Sequence, residues 1–467
     1  MNRFDALLQP DRGQPAHVIT IVAPAGYESW LGTQPARIRA ILSAQRFAGK
    51  AGSHAVIPGE GEDWSVVAAV EDATSPWALA ALPKALPPGS YRAEVPAAAG
   101  LGWLLGQYRF GRYHKAEDAG DRVLLIRDPA AIPELLRLAG ATAQVRDLVN
   151  TPTQDLGPAE LEAAAEALAR RHGAAVTVRR GDELEQGYPM IHAVGRAATR
   201  ERAPRLIELR WGAPTDPAVA IIGKGVCFDT GGLDIKPSSG MRLMKKDMGG
   251  AAHALALAEL VMGAKLPVRL HLLIPAVENA ISGDAFRPGD VLRSRKGLTV
   301  ENTNTDAEGR LILGDALTRA GEEKPELILD FATLTGAARV ALGPDLPPLF
   351  TDDAALAAEL LAAGEALHDP LWRLPLWDGY DEMLKSDIAD LVNAPDGGFA
   401  GAITAALFLR RFVPEKTAWA HLDVFAWRPA AKPGRSKGGD AFGLRAAWHV
   451  LKTRYAAASG VPERSQT

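Results

Sequence analysis

The chain has 467 residues, which is more than one hydrophobic core usually supports, so we expect two folded domains. Hydrophobic residues make up 47% and charged residues 23% of the sequence, a composition typical of globular proteins that argues against long disordered stretches. The formal net charge of −4, from 52 basic and 56 acidic residues, provides no broad positive field and therefore no support for binding to nucleic acid or to an anionic membrane.

The start of the chain, MNRFDALLQPDRGQP, contains no apolar stretch of signal-peptide length, and no run of about 18 apolar residues occurs in the sequence. The single cysteine, Cys227, excludes an intramolecular disulfide framework and a cysteine-based zinc cluster, and it suits a reducing compartment. We therefore expect a cytoplasmic protein that does not associate with a membrane.

Residues 17–114 alternate short apolar runs, such as HVITIVAP and WSVVAAV, with helical stretches separated by Gly and Pro. This pattern predicts a small α/β domain. A predicted strand, a predicted helix and the turn-forming cluster NTPTQD follow, and they place the domain junction between Tyr113 and Thr153. We divide the chain into an N-terminal α/β domain, residues 1–140, and a larger C-terminal domain, residues 141–467.

Beyond the junction, predicted strands and helices alternate. The strand candidates are AAVTV, RLIELRW, AVAIIGK, VRLHLLI and ELILDFAT, and the helices are predicted over residues 158–172, after Gly250, and over residues 308–320. Such alternation predicts an α/β fold whose C-terminal domain has a mostly parallel sheet flanked by helices. In sheets of this kind, ligands bind beyond the carboxyl ends of the strands.

A first cluster of polar residues lies in the segment 218–252, which begins as a buried strand and continues as a loop rich in Gly, Lys and Asp. Lys224 ends the strand, and Asp229, Lys236 and Asp247 follow before the next helix. The tripeptide GKG gives only weak support to a phosphate loop, because the Walker pattern needs a longer glycine-rich loop that ends in Gly-Lys-Ser/Thr. The segment predicts a ligand site at the carboxyl end of a strand.

A second cluster, ENTNTDAEGRLILGDAL, places Asp306 and Glu308 at the start of a predicted helix. Carboxylates at this position can simply complement the exposed amides and the macrodipole of the first turn. The spacing alone leaves helix capping and a ligand role equally open.

The positions of other carboxylates in the sequence favour a ligand role for Asp306 and Glu308. Asp229, Asp247, Asp306 and Glu308 all fall at predicted strand-to-helix junctions of one sheet. Four carboxylates brought together would repel one another and shift toward protonation unless cations compensated them, and two divalent cations would cancel their charge. Because neither cluster contains Cys or His, the ligands favour Mg, Mn, Co or Zn in a dinuclear hydrolytic site.

At this point the sequence resembles a known family. NTDAEGRL at residues 304–311 is similar to the signature of the M17 leucyl aminopeptidases, also called cytosol aminopeptidases. GKGVCFDTGGLDIKP, MKKDMGGAA, PAVENAISGDAFRPGDVL and DFATLTGAARVALG resemble further family segments, in the family order. The resemblance covers about residues 145–450 and is only loose over the first 110 residues. The chain departs from the common pattern at Gly314, where Ala is usual, and over residues 421–446, a tail that borders the substrate pocket in relatives.

The resemblance implies two divalent metal ions per subunit, Mn or Zn, with Co or Mg as alternatives. One ion would be bound by Lys224, Asp229, Asp247 and Glu308, and the other by Asp229, Asp306 and Glu308, so that two of the carboxylates bridge. The backbone carbonyl of Asp306 would add a donor to the more exchangeable ion. Lysine can bind a metal only as a neutral amine, and adjacent dications would lower its pKa enough to favour that form.

The resemblance also implies two catalytic residues that do not bind metal. Lys236 would remain a cation and stabilise the oxyanion of the tetrahedral intermediate. Arg310 would hold a bicarbonate ion, because a guanidinium group suits a planar oxyanion, and in the family this bicarbonate serves as the general base. The residues at substrate-binding positions are Met244, Thr333, Leu334 and Gly336.

The implied function is metal-dependent hydrolysis of the N-terminal peptide bond, which releases Leu and other residues from peptides with a free α-amine. The family assembles as a hexamer of two trimers, so peptide substrates and identical subunits are the expected partners. Three alternatives stay open: a Cys-Gly-type dipeptidase of the same family, a DNA-binding regulatory homologue and an inactive homologue. The net charge and the lack of a basic run in residues 1–110 count against the second, and the presence of Lys236, Arg310 and the five ligand positions counts against the third.

Overall fold

The computed structural model describes residues 4–114 and 120–456, which form two compact units. Unit 1 contains the described residues up to Ala143 together with Ala430–Lys437, and unit 2 contains the remaining described residues. Strands and helices are present in both units.

Unit 1 is built on a six-stranded sheet in the order β1-β6-β5-β2-β4-β3, in which all neighbours are parallel except the pair β3 and β4. Its strands are β1 Leu8–Pro10, β2 His17–Val22, β3 His54–Pro58, β4 Trp64–Ala69, β5 Gly89–Ala93 and β6 Arg122–Ile126. Its helices are α1 Tyr27–Thr33, α2 Ala36–Ala44 and α3 Ala99–Gly106, and α4 Ile132–Asn150 follows in the chain. The small α/β fold predicted for this part of the sequence is confirmed.

Unit 2 contains the longer alternation of strands and helices. Its strands are β7 Ala175–Arg179, β8 Arg205–Trp211, β9 Ala218–Gly223, β10 Gly225–Asp229, β11 Arg269–Asn279, β12 Val291–Arg293, β13 Thr299–Glu301, β14 Leu327–Ala332, β15 Pro348–Phe350, β16 Trp372–Arg373, β17 Leu391–Val392, β18 Ala418–Asp423, β19 Trp427–Arg428 and β20 Gly438–Gly439. Its helices are α5 Pro158–His172, α6 Gly181–Gly187, α7 Pro189–Gly195, α8 Ser238–Met241, α9 Gly249–Gly263, α10 Glu308–Gly321, α11 Gly336–Leu342, α12 Ala354–Ala366, α13 Gly401–Arg410 and α14 Leu444–Ala456.

The main sheet of unit 2 is mixed, with a parallel centre. Strands β18, β14, β9 and β11 are parallel neighbours, whereas β8 pairs antiparallel with β11, and β15 pairs antiparallel with β18. Strands β9 and β10 pair with successive parts of β11, so Lys224 lies at the break between them. The predicted α/β architecture, a mostly parallel sheet flanked by helices, is confirmed.

Side chains on the two faces of this sheet enter different layers. Ile222, Leu273 and Ile328 belong to one core cluster with residues of α7, α10 and α13. On the opposite face, Phe331 of β14 stacks on His253 of α9, with ring centroids 5.5 Å apart. Burial on both faces explains why these strands appear in the sequence as continuous apolar runs rather than as an alternation of apolar and polar residues.

Strands β12, β13 and β17 form a separate three-stranded sheet that the sequence did not predict. They are two or three residues long, too short to show a hydrophobic period. Asp306 and Glu308 follow β13 of this small sheet. The prediction that all four carboxylates follow strands of one sheet is therefore wrong for these two residues.

Candidate active site

Lys224 is fixed by its backbone at the carboxyl end of β9. Its N–H donates to the carbonyl of Phe331 at 3.0 Å, and its own carbonyl accepts from the N–H of Ala251 at 2.8 Å. Helix α9 approaches the sheet so closely that a Cβ on Gly250 would lie 2.1 Å from the Phe331 carbonyl oxygen. Glycine at this position therefore allows the first turn of α9 to reach the ends of the central strands.

The side chain of Lys224 is 3% exposed and joins three elements. Its Nζ lies 2.8 Å from Oδ2 of Asp247, just before α9, and 2.8 Å from Oε1 of Glu308, the first residue of α10. It also donates to the carbonyl of Thr333 at 3.1 Å. Residues more than 80 positions apart in sequence thus meet around one ammonium group.

A second ammonium group completes the cluster. Nζ of Lys236 lies 2.8 Å from Oδ2 of Asp229 and also pairs with Asp306. Carboxylate oxygens of Asp229, Asp306 and Glu308 lie within 4.8 Å of one another. Asp306 has the most accessible side chain of the cluster, at 33% exposed. The structure therefore brings the five predicted metal-binding residues and Lys236 together.

The capping explanation for Asp306 and Glu308 does not match the structure. Asn304, not Asp306, caps the short 3-10 turn Thr305–Ala307, by accepting the N–H of Asp306 at 2.8 Å. Helix α10 begins without a side-chain cap. Both carboxylates instead point toward the lysine ammonium groups.

The proximity of the carboxylates perturbs their titration. Burial, followed by the negative charge of Asp229, raises the pKa of Glu308 to about 8, and the same two causes raise that of Asp306 to about 6. Burial alone would lower the pKa of Lys224, but the surrounding carboxylates raise it above its usual range, Asp247 most strongly. Without added cations, the cluster therefore holds protons at neutral pH on its lysines and on Glu308.

The donor set fits divalent cations. Within the part of the chain that the structure describes, Oδ2 of Asp247, Oδ1 of Asp306 and Oε1 of Glu308 are buried without a hydrogen bond of acceptable geometry, although lysine ammonium groups lie against them. Carboxylate oxygens are ligands that Mg, Mn, Co and Zn accept. Lys224 could join them only after losing its proton, which the charge of a bound cation would favour.

Asn279 supports the cluster, and the sequence analysis did not identify it. Its Nδ2 donates to Oδ1 of Asp229 at 2.8 Å and to the carbonyl of Thr305 at 3.0 Å. The N–H of Gly231 donates to the same oxygen of Asp229 at 2.9 Å. Asn279 ends β11, and only the pairing of that strand with β10 brings it to Asp229.

Arg310 is buried beside the cluster and makes no contact with its carboxylates within salt-bridge distance among the described residues. Its Nη1 donates to the carbonyl of Asn393 at 2.7 Å and its Nη2 to that of Gly401 at 3.3 Å. Burial lowers the pKa of Arg310 to about 10. The side chain of Asn393 also accepts from the N–H of Thr303 at 2.9 Å, so one buried asparagine links Arg310 to the segment that leads into Asp306.

Two of the four predicted substrate-binding residues, Thr333 and Leu334, border the cluster. Oγ1 of Thr333 donates to Oδ1 of Asp247 at 2.8 Å, so its hydroxyl is engaged in holding that carboxylate. Cδ1 of Leu334 lies 3.0 Å from where a Cβ on Gly309 would stand, next to Lys224. A Cβ on Gly336 would meet no atom within 4 Å. The fourth residue, Met244, begins the 3-10 turn that leads into Asp247.

Two family models match the chain. The model of the cytosol aminopeptidase family, catalytic domain, matches residues 143–447, and the model of the M17 aminopeptidase N-terminal domain matches residues 18–125. A probable cytosol aminopeptidase of Syntrophotalea carbinolica is 43% identical over 74% of this chain and 72% of its own length. One of Roseiflexus castenholzii is 44% identical over 77% of this chain and 76% of its own length.

Solved structures agree with these sequence matches. The crystal structure of a cytosol aminopeptidase from Coxiella burnetii is 45% identical and superimposes with a TM-score of 0.92, covering 96% of this chain and 99% of its own. The bottromycin maturation enzyme BotP, solved in complex with Mn, is 33% identical with a TM-score of 0.85, covering 94% of this chain and 100% of its own.

Proposed function

Because the chain belongs to the cytosol aminopeptidase family of M17 metallopeptidases and is therefore an aminopeptidase, we propose that it releases Leu and other residues from peptides with the help of two divalent cations. The observation that carries the proposal is the cluster of four carboxylates around Lys224 and Lys236 at the carboxyl ends of the central strands. The position agrees with the general location of ligand sites in parallel sheets.

We propose that Lys224, Asp229, Asp247 and Glu308 hold one ion and that Asp229, Asp306 and Glu308 hold the other. Mn or Zn is the expected metal, with Co or Mg as alternatives, and the Mn bound by the similar enzyme BotP supports this choice. Bound there, the two ions would supply the positive charge that polarises the scissile carbonyl and acidifies a water molecule.

Two cations of the chain complete the proposed mechanism. Lys236 is 15% exposed beside Asp229 and Asp306, where its charge would stabilise the oxyanion that develops on the carbonyl oxygen. The guanidinium group of Arg310 has five N–H donors, of which the two carbonyl contacts use only part. The remaining donors could hold a bicarbonate ion that accepts the proton of the attacking water.

The substrate would lie along the residues that border the cluster. Asp306 has the most accessible carboxylate and would face the free α-amine of the peptide. We assign the binding of the first side chain and of the peptide backbone to Met244, Thr333, Leu334 and Gly336. A pocket that discriminates by apolar contact alone gives only about 1–3 kcal/mol per methylene, so we expect several N-terminal residues to be accepted.

We extend the proposal to the organisation of the protein. Residues 1–140 would form a variable domain with an oligomer or access role, and residues 141–467 the catalytic domain, which the extents of the two family models support. A cytoplasmic homohexamer built from two trimers is proposed from the family resemblance. No helix among the described residues is both long enough and apolar enough to cross a membrane.

The proposal is tested with leucine p-nitroanilide and its N-acetylated form in the presence of Mn, Co or Zn. Only the substrate with the free amine should be hydrolysed, because the amine is needed to bind beside Asp306. Equal hydrolysis of both would refute the amine-anchoring mechanism. A panel of dipeptides that includes Cys-Gly would then separate a broad leucyl-type enzyme from a Cys-Gly dipeptidase.

A further inference from the structure

Asp423 is a buried carboxylate that ends β18, directly beside Ala332 at the end of β14. Its side chain is 1% exposed. Burial by itself would raise its pKa, but Arg339, His421 and Thr335 lower it, so the group is an anion. It lies at the same sheet edge as Lys224, because β18, β14 and β9 are parallel neighbours.

The carboxylate of Asp423 binds the segment that follows β14. Its Oδ1 accepts the N–H of Leu334 at 2.9 Å and, more weakly, that of Thr335 at 3.4 Å. Its Oδ2 accepts the hydroxyl of Thr335 at 2.7 Å. One buried anion therefore fixes both the backbone and a side chain of the segment that carries three of the four proposed substrate-binding residues.

Arg339 extends this contact, through the ring of Phe425, to the turn Met244–Lys246. Its Nη2 donates to Oδ1 of Asp423 at 2.7 Å, and its guanidinium carbon lies 5.6 Å from the centre of the Phe425 ring. The Nζ of Lys246 lies 5.4 Å from the same ring. Lys246 ends the 3-10 turn that begins at Met244, so Asp423 is linked to both segments that carry proposed substrate-binding residues.

A shift of Leu334 would matter because its part-buried side chain packs beside Gly309 in the first turn of α10. Its side chain lies close to Gly309 and Lys224, and the loss of its N–H acceptor would leave a backbone donor at a part-buried position unsatisfied. We propose that Asp423 is a positioning residue, which acts through Leu334 and Thr335 to hold the substrate-binding edge formed by residues 333–336. This inference rests on the proposed aminopeptidase function of the same site.

The test compares Asp423→Asn with Asp369→Asn in the Mn-loaded enzyme. Asparagine keeps one acceptor for the N–H of Leu334 but cannot accept from both the Thr335 hydroxyl and Arg339. We expect KM for leucine p-nitroanilide to rise about tenfold, as the loss of a hydrogen bond to a charged group predicts, with a smaller effect on kcat. Mn binding, measured by direct titration, should be unchanged.

Asp369 is a matched control for a structural role. It is 5% exposed and accepts the N–H groups of Gly443 at 3.0 Å and Arg445 at 2.8 Å. Asp423 accepts the N–H groups of Leu334 and Thr335 in the same way. Asp369→Asn should lower the melting temperature without changing KM. An unchanged KM in Asp423→Asn, an equal rise in Asp369→Asn, or a loss of Mn binding in Asp423→Asn would each overturn the inference.

If Asp423→Asn does not fold, Thr335→Val and Thr335→Ser decide the question. Valine removes the hydroxyl that binds Asp423, whereas serine keeps it. KM should rise about three- to tenfold in the valine variant and stay near the wild-type value in the serine variant. Equal KM values in the two variants would overturn the inference. A wild-type enzyme that does not cleave the substrate would instead refute the proposed function.

Discussion

The cluster around Lys224 illustrates how neighbours set the state of a single side chain. Four carboxylates face Lys224 and Lys236, and Lys246 lies 3.7 Å from Asp247, so negative charge exceeds positive charge even if all of these groups are ionised. Burial, followed by this excess of negative charge, raises the pKa of Glu308 to about 8. Two divalent cations would balance the carboxylate charge without a proton on Glu308, and they would favour the neutral amine of Lys224, the form that can bind a metal.

At the scale of single residues, Asp306→Ala should abolish hydrolysis of leucine p-nitroanilide without unfolding the protein. Its side chain is 33% exposed, and Oδ1 accepts no hydrogen bond of acceptable geometry from the described residues, so few contacts are lost. We expect activity to fall by more than about a hundredfold, since substitution of a residue that only supports a metal ligand already lowers activity by up to about that factor. Steady-state kinetics and circular dichroism measure the two effects.

Glu382→Ala provides the matched control, because this carboxylate is 72% exposed and pairs only with a surface lysine, Lys385, in the contacts that the structure describes. It should retain wild-type activity. Full activity in Asp306→Ala would refute the assignment of that residue to a metal site.

At the scale of elements, helix α10 is held at both ends. Glu308 and Arg310 face the candidate active site from its first turn, and Arg319 anchors its last turn to the sheet. The Nε of Arg319 lies 3.2 Å from Oε2 of Glu208 on β8, and Nε2 of His271 on β11 lies 2.9 Å from the same oxygen. The buried Glu208 thus holds the C-terminal end of α10, the helix whose first turn carries Glu308 and Arg310.

Replacing Glu208 by Gln should therefore destabilise the protein in a pH-dependent way. Burial alone would raise the pKa of Glu208, but His271, Arg319 and Arg210 lower it to about 2. The stabilising contribution is then fully present above the ordinary pKa of about 4.5 and is lost as the pH falls toward 2. Near neutral pH we expect a loss of about 2–4 kcal/mol in the free energy of unfolding.

Chemical denaturation at several pH values checks this prediction. The difference between the wild type and Glu208→Gln should be present at neutral pH and should shrink as the pH falls below about 4.5. Glu359→Gln is the control: this residue is 44% exposed and pairs with Arg454, away from Glu208, so its loss should cost less than about 1 kcal/mol. A pH-independent difference, or an equal effect of both variants, would contradict the role of Glu208.

At the scale of the whole molecule, metal binding should be coupled to stability. The ligands lie between positions 224 and 308 of the chain and are gathered only by the folded unit 2, so the unfolded chain should bind the ions far more weakly. Excess Mn should stabilise the wild type by about 4 kcal/mol at a thousand times its dissociation constant, and a chelator should reverse this. Calorimetry with and without Mn measures the shift, which should be strongly reduced in Asp306→Ala. A shift of the same size in that variant would place the ions elsewhere.

The sequence alone determined the α/β class, the order of the main elements and the identity of the clustered residues. Helix α5 begins and ends at the predicted residues, Pro158 and His172, because apolar spacing, a proline at its start and a glycine after its end are local signals. The residues of the carboxylate cluster were found because NTDAEGRL and its companion segments are distinctive strings that resemble those of a known family.

Only the tertiary structure decided what those carboxylates contact. Spacing could not show whether Asp306 and Glu308 cap the helix or join a carboxylate cluster. Either role places them at the start of the helix, and the two roles differ only in where the side chains point. The same limit hid Asn279, Asn393 and Asp423, whose partners lie 26 to 91 positions away in the sequence. No local sequence pattern marks an asparagine or an aspartate as a residue that supports a distant segment. Such a role can be recognised only when the folded chain brings distant groups within hydrogen-bonding distance.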